Sequence, residues 1–180
     1  MPERLEATKT AVLGLHLQKH MTDPASPVAQ HTGFAEMVKK TNLFDNINRV
    51  LSAARETGIF IAYVKLDLSP GHYRYPLRGG FCRFVAAEHK GGEVLRPGAW
   101  GYDLHDGLVC QEGEPVILGR QISAFSGSDL DNALKTRGIT DLVLTGVATN
   151  FVVTNTAWSH LRPIADIWES RNFIDAIMTL

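Results

Sequence analysis

Cysteine is scarce in this chain: Cys82 and Cys110 are the only two among 180 residues. They are too few for a disulfide framework and too far apart for a CxxC redox or zinc pair, which predicts a reduced, cytoplasmic setting. Neither sign of charge dominates, with 18 Lys and Arg against 19 Asp and Glu and a net charge of −1. The basic stripe that binds nucleic acid or an anionic membrane is missing, so neither partner is expected. No apolar run approaches the ~20 residues of a membrane span, and the opening MPERLEATKT has no apolar signal core. Repeats, low-complexity tracts and dividing linkers are lacking as well. With 44% apolar and 21% charged residues, the chain predicts one domain over 1–180 with a full core.

What is present is a sustained alternation of strand and helix signals. Thr10 to Leu17 (TAVLGLHL) predicts a first strand, apolar on both faces apart from His16. Thr22 to Gly33, with Pro24 and Pro27, reads as a loop. A helix capped by Thr41 or Asn42 follows, with Phe44, Ile47, Leu51 and Ala54 at helical spacing and Gly58 as its stop. Ile59 to Leu66 (IFIAYVKL) is a second buried strand and Pro115 to Leu118 a third. Ser128 or Asp129 opens a helix from Leu130 to Arg137, and Leu142 to Thr145 is the fourth strand. Pro163 to Trp168 can add a short strand and Arg171 to Leu180 a closing helix. The expectation is an α/β protein: a doubly wound, mostly parallel sheet of five or six strands with helices on both faces.

Ser69 to Pro97 interrupts this order. Its glycines and prolines, mixed with Tyr73, Tyr75, Phe81, Phe84, Arg74, Arg78 and Arg83, form no pattern of a regular core element. Long excursions of this kind are lids or interface segments, and aromatic residues with arginine are enriched at interface centres. A homo-oligomer is expected.

Asp141 to His160 (DLVLTGVATNFVVTNTAWSH) organises the rest. A buried strand ends at Gly146, and Thr149 or Asn150 can cap the helix carrying Val152, Val153, Thr156 and Ala157. Backbone N–H groups of that first turn would face the space beyond the strand's carboxyl end, where open α/β sheets bind ligands. The run SAFSGSDLDNALKTRGITDLVLTGVATN, Ser123 to Asn150, with AVLGLHLQ near the start, resembles the isochorismatase-like hydrolase superfamily, which includes nicotinamidases and carbamoylases. The likeness covers most of residues 10 to 157 and implies a Rossmann-like three-layer sandwich.

The resemblance also implies a site. The amidohydrolases of that superfamily use an aspartate general base at the end of the first strand, a lysine at the end of the third, and a cysteine nucleophile at the helix start after the fourth. Residue by residue, those positions fall on His16, Gly119 and Val152. Val152 has no heteroatom, so no acyl-enzyme can form there, and conventional cysteine amidase chemistry is not expected. Val147 and Ala148 match a turn that commonly holds a cis peptide and, with Thr149 and Asn150, an oxyanion hole. Gln18 matches the family pattern after the first strand, and Trp100 either walls the pocket or simply packs. His20 is not presented with His16 to one metal ion by a strand end, and His31, His72, His89, His105 and His160 read as solvated, so no metal or cofactor is expected. Ser123 and Ser126 read as turn and cap residues, since neither sits in a GxSxG elbow. Two functions stay open for a small-molecule partner: an altered, non-cysteine reaction on a small polar or carbonyl substrate, or a catalytically inactive ligand-binding or oligomeric module.

Overall fold

The computed structural model describes residues 5–69, 87 and 90–160. The expected strand at 163–168, the closing helix at 171–180 and the aromatic and arginine residues named between 73 and 84 lie outside the described residues. Four strands are present among those described, β1 (Thr10–Leu15), β2 (Phe60–Leu66), β3 (Val116–Gly119) and β4 (Asp141–Gly146), in the order β3-β2-β1-β4. All neighbours are parallel. The expected parallel α/β sheet is found, with fewer strands than the five or six anticipated.

Continuous apolar runs make the central strands, because both faces of the sheet are covered. Ala11, Leu13 and Leu15 pack on one side with Leu130, Leu134, Val152 and Val153. Val12, Ile61, Tyr63 and Val143 pack on the other against Phe44, Ile47, Leu51 and Ala54. Those four residues form one face of the helix Leu43–Thr57, which Gly58 ends in the left-handed conformation at φ 72°. The opposite layer is supplied by the helix Leu130–Lys135 and by Thr154–His160, which a π-helical turn over Thr149–Val153 precedes.

Several boundaries differ from the sequence reading, each for a local reason. The first strand stops at Leu15, since His16 turns to φ 51° and leaves the sheet. The supposed loop from Thr22 to Gly33 contains the helix Pro27–His31, and a further helix, Phe34–Lys40, follows it. Pro27 starts the first of these, where a missing N–H costs nothing, and the Ser26 hydroxyl accepts from Ala29 N at 3.4 Å while donating to the His20 carbonyl at 2.6 Å. Asn42 does not cap with its side chain; it takes φ 48°, which asparagine tolerates. Neither Thr149 nor Asn150 is the cap of the last helical stretch, whose flanking residue is Ala148. Leu95, inside the excursion read as lacking core, is fully buried with Leu66 and Leu68.

Behind β2, a polar cluster fixes the helix Leu43–Thr57 to the chain before β3. Arg55 donates to both carboxylate oxygens of Glu114, at 2.7 and 3.0 Å, and the buried Tyr63 hydroxyl donates to the same carboxylate at 2.8 Å. Burial, and then the Glu114 bond, push the phenol pKa far up. Cys110, the one cysteine among the described residues, is unbridged.

Candidate active site at the carboxyl end of the sheet

In a parallel sheet every strand delivers its last residue to the same end, and here that end gathers His16 after β1, Gly119 closing β3 and the turn after β4. Val147 N donates to Leu15 O at 3.1 Å and His16 N to Val64 O at 2.9 Å, so the turn, β1 and β2 are tied together. The Val147–Ala148 peptide is cis. Gly146 lies so close to β1 that a Cβ on it would overlap the Leu15 carbonyl oxygen.

His16 is 5% exposed, and its Nε2 is buried with no hydrogen-bond partner among the described residues. Burial lowers its pKa from 6.5 to about 4, so the ring is neutral near pH 7. A non-glycine residue at positive φ with an unpartnered buried ring nitrogen combines two unfavourable features, the kind of local strain that clusters at functional sites. A pH dependence follows. The unfolded chain takes up the His16 proton below about 6.5, while the folded chain resists it until about 4. Stability is therefore complete above that window and falls through it, by on the order of 3 kcal/mol from this ring. His16→Asn, which tolerates the left-handed backbone, is expected to flatten the fall in urea midpoint between pH 7 and pH 4.5. His20, also lowered to about 4 by burial, leaves a residual slope; an unchanged slope would refute the assignment to His16.

The other residues matched to the family site are placed as follows. Val152 is 1% exposed and packs among Leu13, Leu15 and Ala124. A Cβ on Gly119 would meet Val64 Cγ1 at 3.3 Å, on the side of the sheet where Val152 lies. Gln18 is fully buried. Its amide oxygen accepts from Leu66 N at 2.7 Å, and its nitrogen donates to the carbonyls of Leu66 and Tyr102 at 3.0 and 3.2 Å. Both amide hydrogens of Gln18 are thus engaged in holding the Trp100–Tyr102 turn to β2. Trp100 is 48% exposed at the start of that turn. In the turn after β4, Phe151 N donates to Ala148 O at 3.1 Å, so that amide and the one of Val147 are committed internally.

Sequence reasoning passed over Lys65, hidden inside IFIAYVKL, and Asp67 just beyond it; both are buried. The signal available was a lone lysine in an otherwise apolar strand. His105 is not merely solvated: it stacks on Phe44 with centroids 4.1 Å apart, and its Nδ1 accepts from Gly107 N at 2.9 Å. Among the described residues no group of three His, Cys, Asp or Glu side chains could hold a metal ion.

A parallel sheet between two helical layers, with its loops gathered over the strand ends, defines a three-layer α/β protein. The isochorismatase domain matches residues 10–162, and the chain belongs to that family. It is 35% identical over 123 residues to the ureidoacrylate amidohydrolase of Klebsiella pneumoniae, 63% of this chain and 52% of that protein. The corresponding enzyme of Pseudomonas syringae pv. syringae is 34% identical over 120 residues, 62% of this chain and 49% of the relative. The chain spans about half the length of the curated relatives it matches. Among solved structures, a cysteine hydrolase from Pseudomonas syringae pv. phaseolicola superposes with a TM-score of 0.72 at 17% identity, over 89% of this chain and 72% of the other. N-carbamoylsarcosine amidase from Thermoplasma acidophilum gives 0.64 at 22%, over 85% and 76%. At these identities the structures show the fold. Among the described residues, no helix is long and apolar enough to cross a membrane.

Proposed function

We propose that this isochorismatase-family chain, read as one domain, is a hydrolase that acts on a small polar or carbonyl compound without a cysteine. His16, Gly119 and Val152 would stand where the family has its aspartate, lysine and cysteine. The observation that carries the reading is the buried, unpartnered Nε2 of His16 at the ligand end of the sheet. The names of similar proteins, an amidohydrolase and an amidase, support hydrolysis at a C–N bond: water oxygen adds to the carbonyl carbon, and the departing nitrogen takes the proton. An imidazole lowered to about 4 is a weak proton store at pH 7, so its role is to hold the carbonyl or the attacking water by a hydrogen bond in its neutral form. Trp100 and the backbone from Val147 to Asn150 would border the substrate, while Gln18 positions the Trp100 turn rather than touching substrate. A second reading, an inactive ligand-binding or oligomeric module, is favoured by the packing of Val152 into the core.

A thermal-shift screen against small amides, carboxylates and cyclic dienes separates the two. A ligand at a hundredfold excess over its Kd stabilises by about 2.7 kcal/mol. Hits that are turned over by the unaltered chain and not by His16→Ala support the hydrolase; hits bound without turnover support the module, and no hit at all overturns the first reading. The homo-oligomer proposed from the composition of residues 69–97 has a separate check. Light scattering at micromolar concentration is expected to return a dimer or tetramer, and a monomer mass would refute it.

A further inference from the structure

The two outer strands of the sheet differ. Residues Asp141 to Thr145 of β4 are buried, whereas β3 alternates exposed and buried residues, with Val116 47% and Leu118 41% exposed. Their register opposite Tyr63 and Lys65 of β2 puts both side chains on the face that Tyr63 shares with the helix Leu43–Thr57, yet that helix leaves them uncovered.

The main chain of these two residues is open as well. In a parallel pair, alternate residues spend both backbone groups on the same neighbour. Pro115 O and Gly119 O accept from Tyr63 N and Asp67 N at 2.9 and 2.8 Å, so Pro115, Ile117 and Gly119 serve β2. The N–H and C=O groups of Val116 and Leu118 therefore point away from the sheet, and they have no partner among the described residues. Edges left open are ordinarily guarded by lysine, proline or a bulge. Val116–Gly119 carries no charge, and Pro115 turns toward β2, so its missing N–H does not block the open side.

We propose that β3 is the contact strand of a symmetric dimer, in which two copies of this chain join their sheets edge to edge, antiparallel about Ile117. Val116 of each copy then faces Leu118 of the other and exchanges N–H···O bonds with it, and the aliphatic pairs cover one another on one face of the joined sheet. A slip to the next register would set Leu118 against Glu114, or Val116 against Arg120, so the match of apolar residues selects the alignment. The flanks agree with it. Arg120, exposed and without a carboxylate partner among the described residues, comes across from Glu114 of the other copy. Each junction holds Glu112 and Glu114 against that arginine and Arg55, which already grips Glu114. Such a contact closes on itself, and the buried β4 offers no second edge, so growth through this surface stops at two copies. The proposal stands on the edge of β3, and neither on the composition of residues 69–97 nor on the His16 reading.

Full-length chains carrying one new cysteine test the register. An equimolar mixture of Val116→Cys and Leu118→Cys is expected, on mild oxidation, to yield a dimer bridged between 116 and 118, identified by peptide mass spectrometry. Directly opposed residues of such a pair lie about 5.5 Å apart between Cα atoms, within disulfide reach. Either variant by itself sets its two thiols out of step along the strands and is expected to yield far less. In sedimentation experiments Val116→Lys is expected to weaken self-association about tenfold or more, because a lysine at an open edge brings its charge against Leu118 and Arg120 of the other copy; its urea midpoint should not move. Equal bridging in all three samples, no bridged product, or an unaltered chain that is monomeric at hundreds of micromolar overturns the proposal. A folded Val116→Lys chain that associates as before also overturns it and assigns the oligomer to another surface, leaving the reading of residues 69–97 intact.

Discussion

The triple variant His16→Asp, Gly119→Lys and Val152→Cys is expected to hydrolyse nicotinamide-like and carbamoyl amides slowly, while the unaltered chain and Val152→Cys alone stay at the buffer rate. A thiol set among Leu13, Leu15 and Ala124 would be held protonated by its apolar surroundings, so the single change supplies sulfur without a nucleophile. A carboxylate at 16 would take the proton, and an ammonium at 119 would balance the charge. Each positioned acid or base is worth ~10²–10⁴ in rate, so the gap between triple and single variants should be at least of that order. The backbone admits the changes. Aspartate suits φ 51° better than histidine does, and a side chain at 119 needs Val64 Cγ1, 3.3 Å away, to yield by a few tenths of an ångström. A folded triple variant no faster than Val152→Cys would show that these positions are not the family's site.

Gly146→Ala is expected to destabilise the fold by about 4 kcal/mol or more, the largest effect of any single methyl group added to a described glycine. The new Cβ would meet the carbonyl oxygen of Leu15, a backbone atom that also accepts from Val147 N, and φ at this residue is 132°. Gly58→Ala provides the comparison, because its φ of 72° faces open space. Only the left-handed penalty of ~1–2 kcal/mol applies there. Urea midpoints of the two variants decide: equal losses would mean that the approach of β4 to β1 is looser than described.

Much of this architecture could be read from residue order. TAVLGL and DLVLTG announce strands covered on both faces, where little of either side meets water, and Gly58 announces a helix end because only glycine takes that conformation freely. Other features were hidden by competing physics. Pro24 and Pro27 suggested a loop, yet proline is harmless in a first helical turn. Asn42 and Thr149 offered capping side chains that the backbone did not use. At the candidate site, the resemblance pointed to His16, Gly119 and Val152 as the positions to inspect, but no pattern could show that the His16 Nε2 lacks a partner among the described residues or that both hydrogens of the Gln18 amide are committed. Those depend on β2 and the Trp100 turn, which are remote in sequence. Lys65 was masked by the apolar residues around it.

The alternation along β1 and β2 makes the sheet a septum. Leu13, Leu15 and Val64 belong with Val152 on one side; Val12, Ile61 and Tyr63 belong with Leu51 on the other, and the two sets share no buried member. Substitutions that avoid shared partners combine without interaction energy. The layer of Val152 can thus change in sequence while the layer holding Leu51 and Tyr63 keeps its own packing. A fold partitioned this way can be rebuilt on one side of the wall while the other side keeps the chain folded.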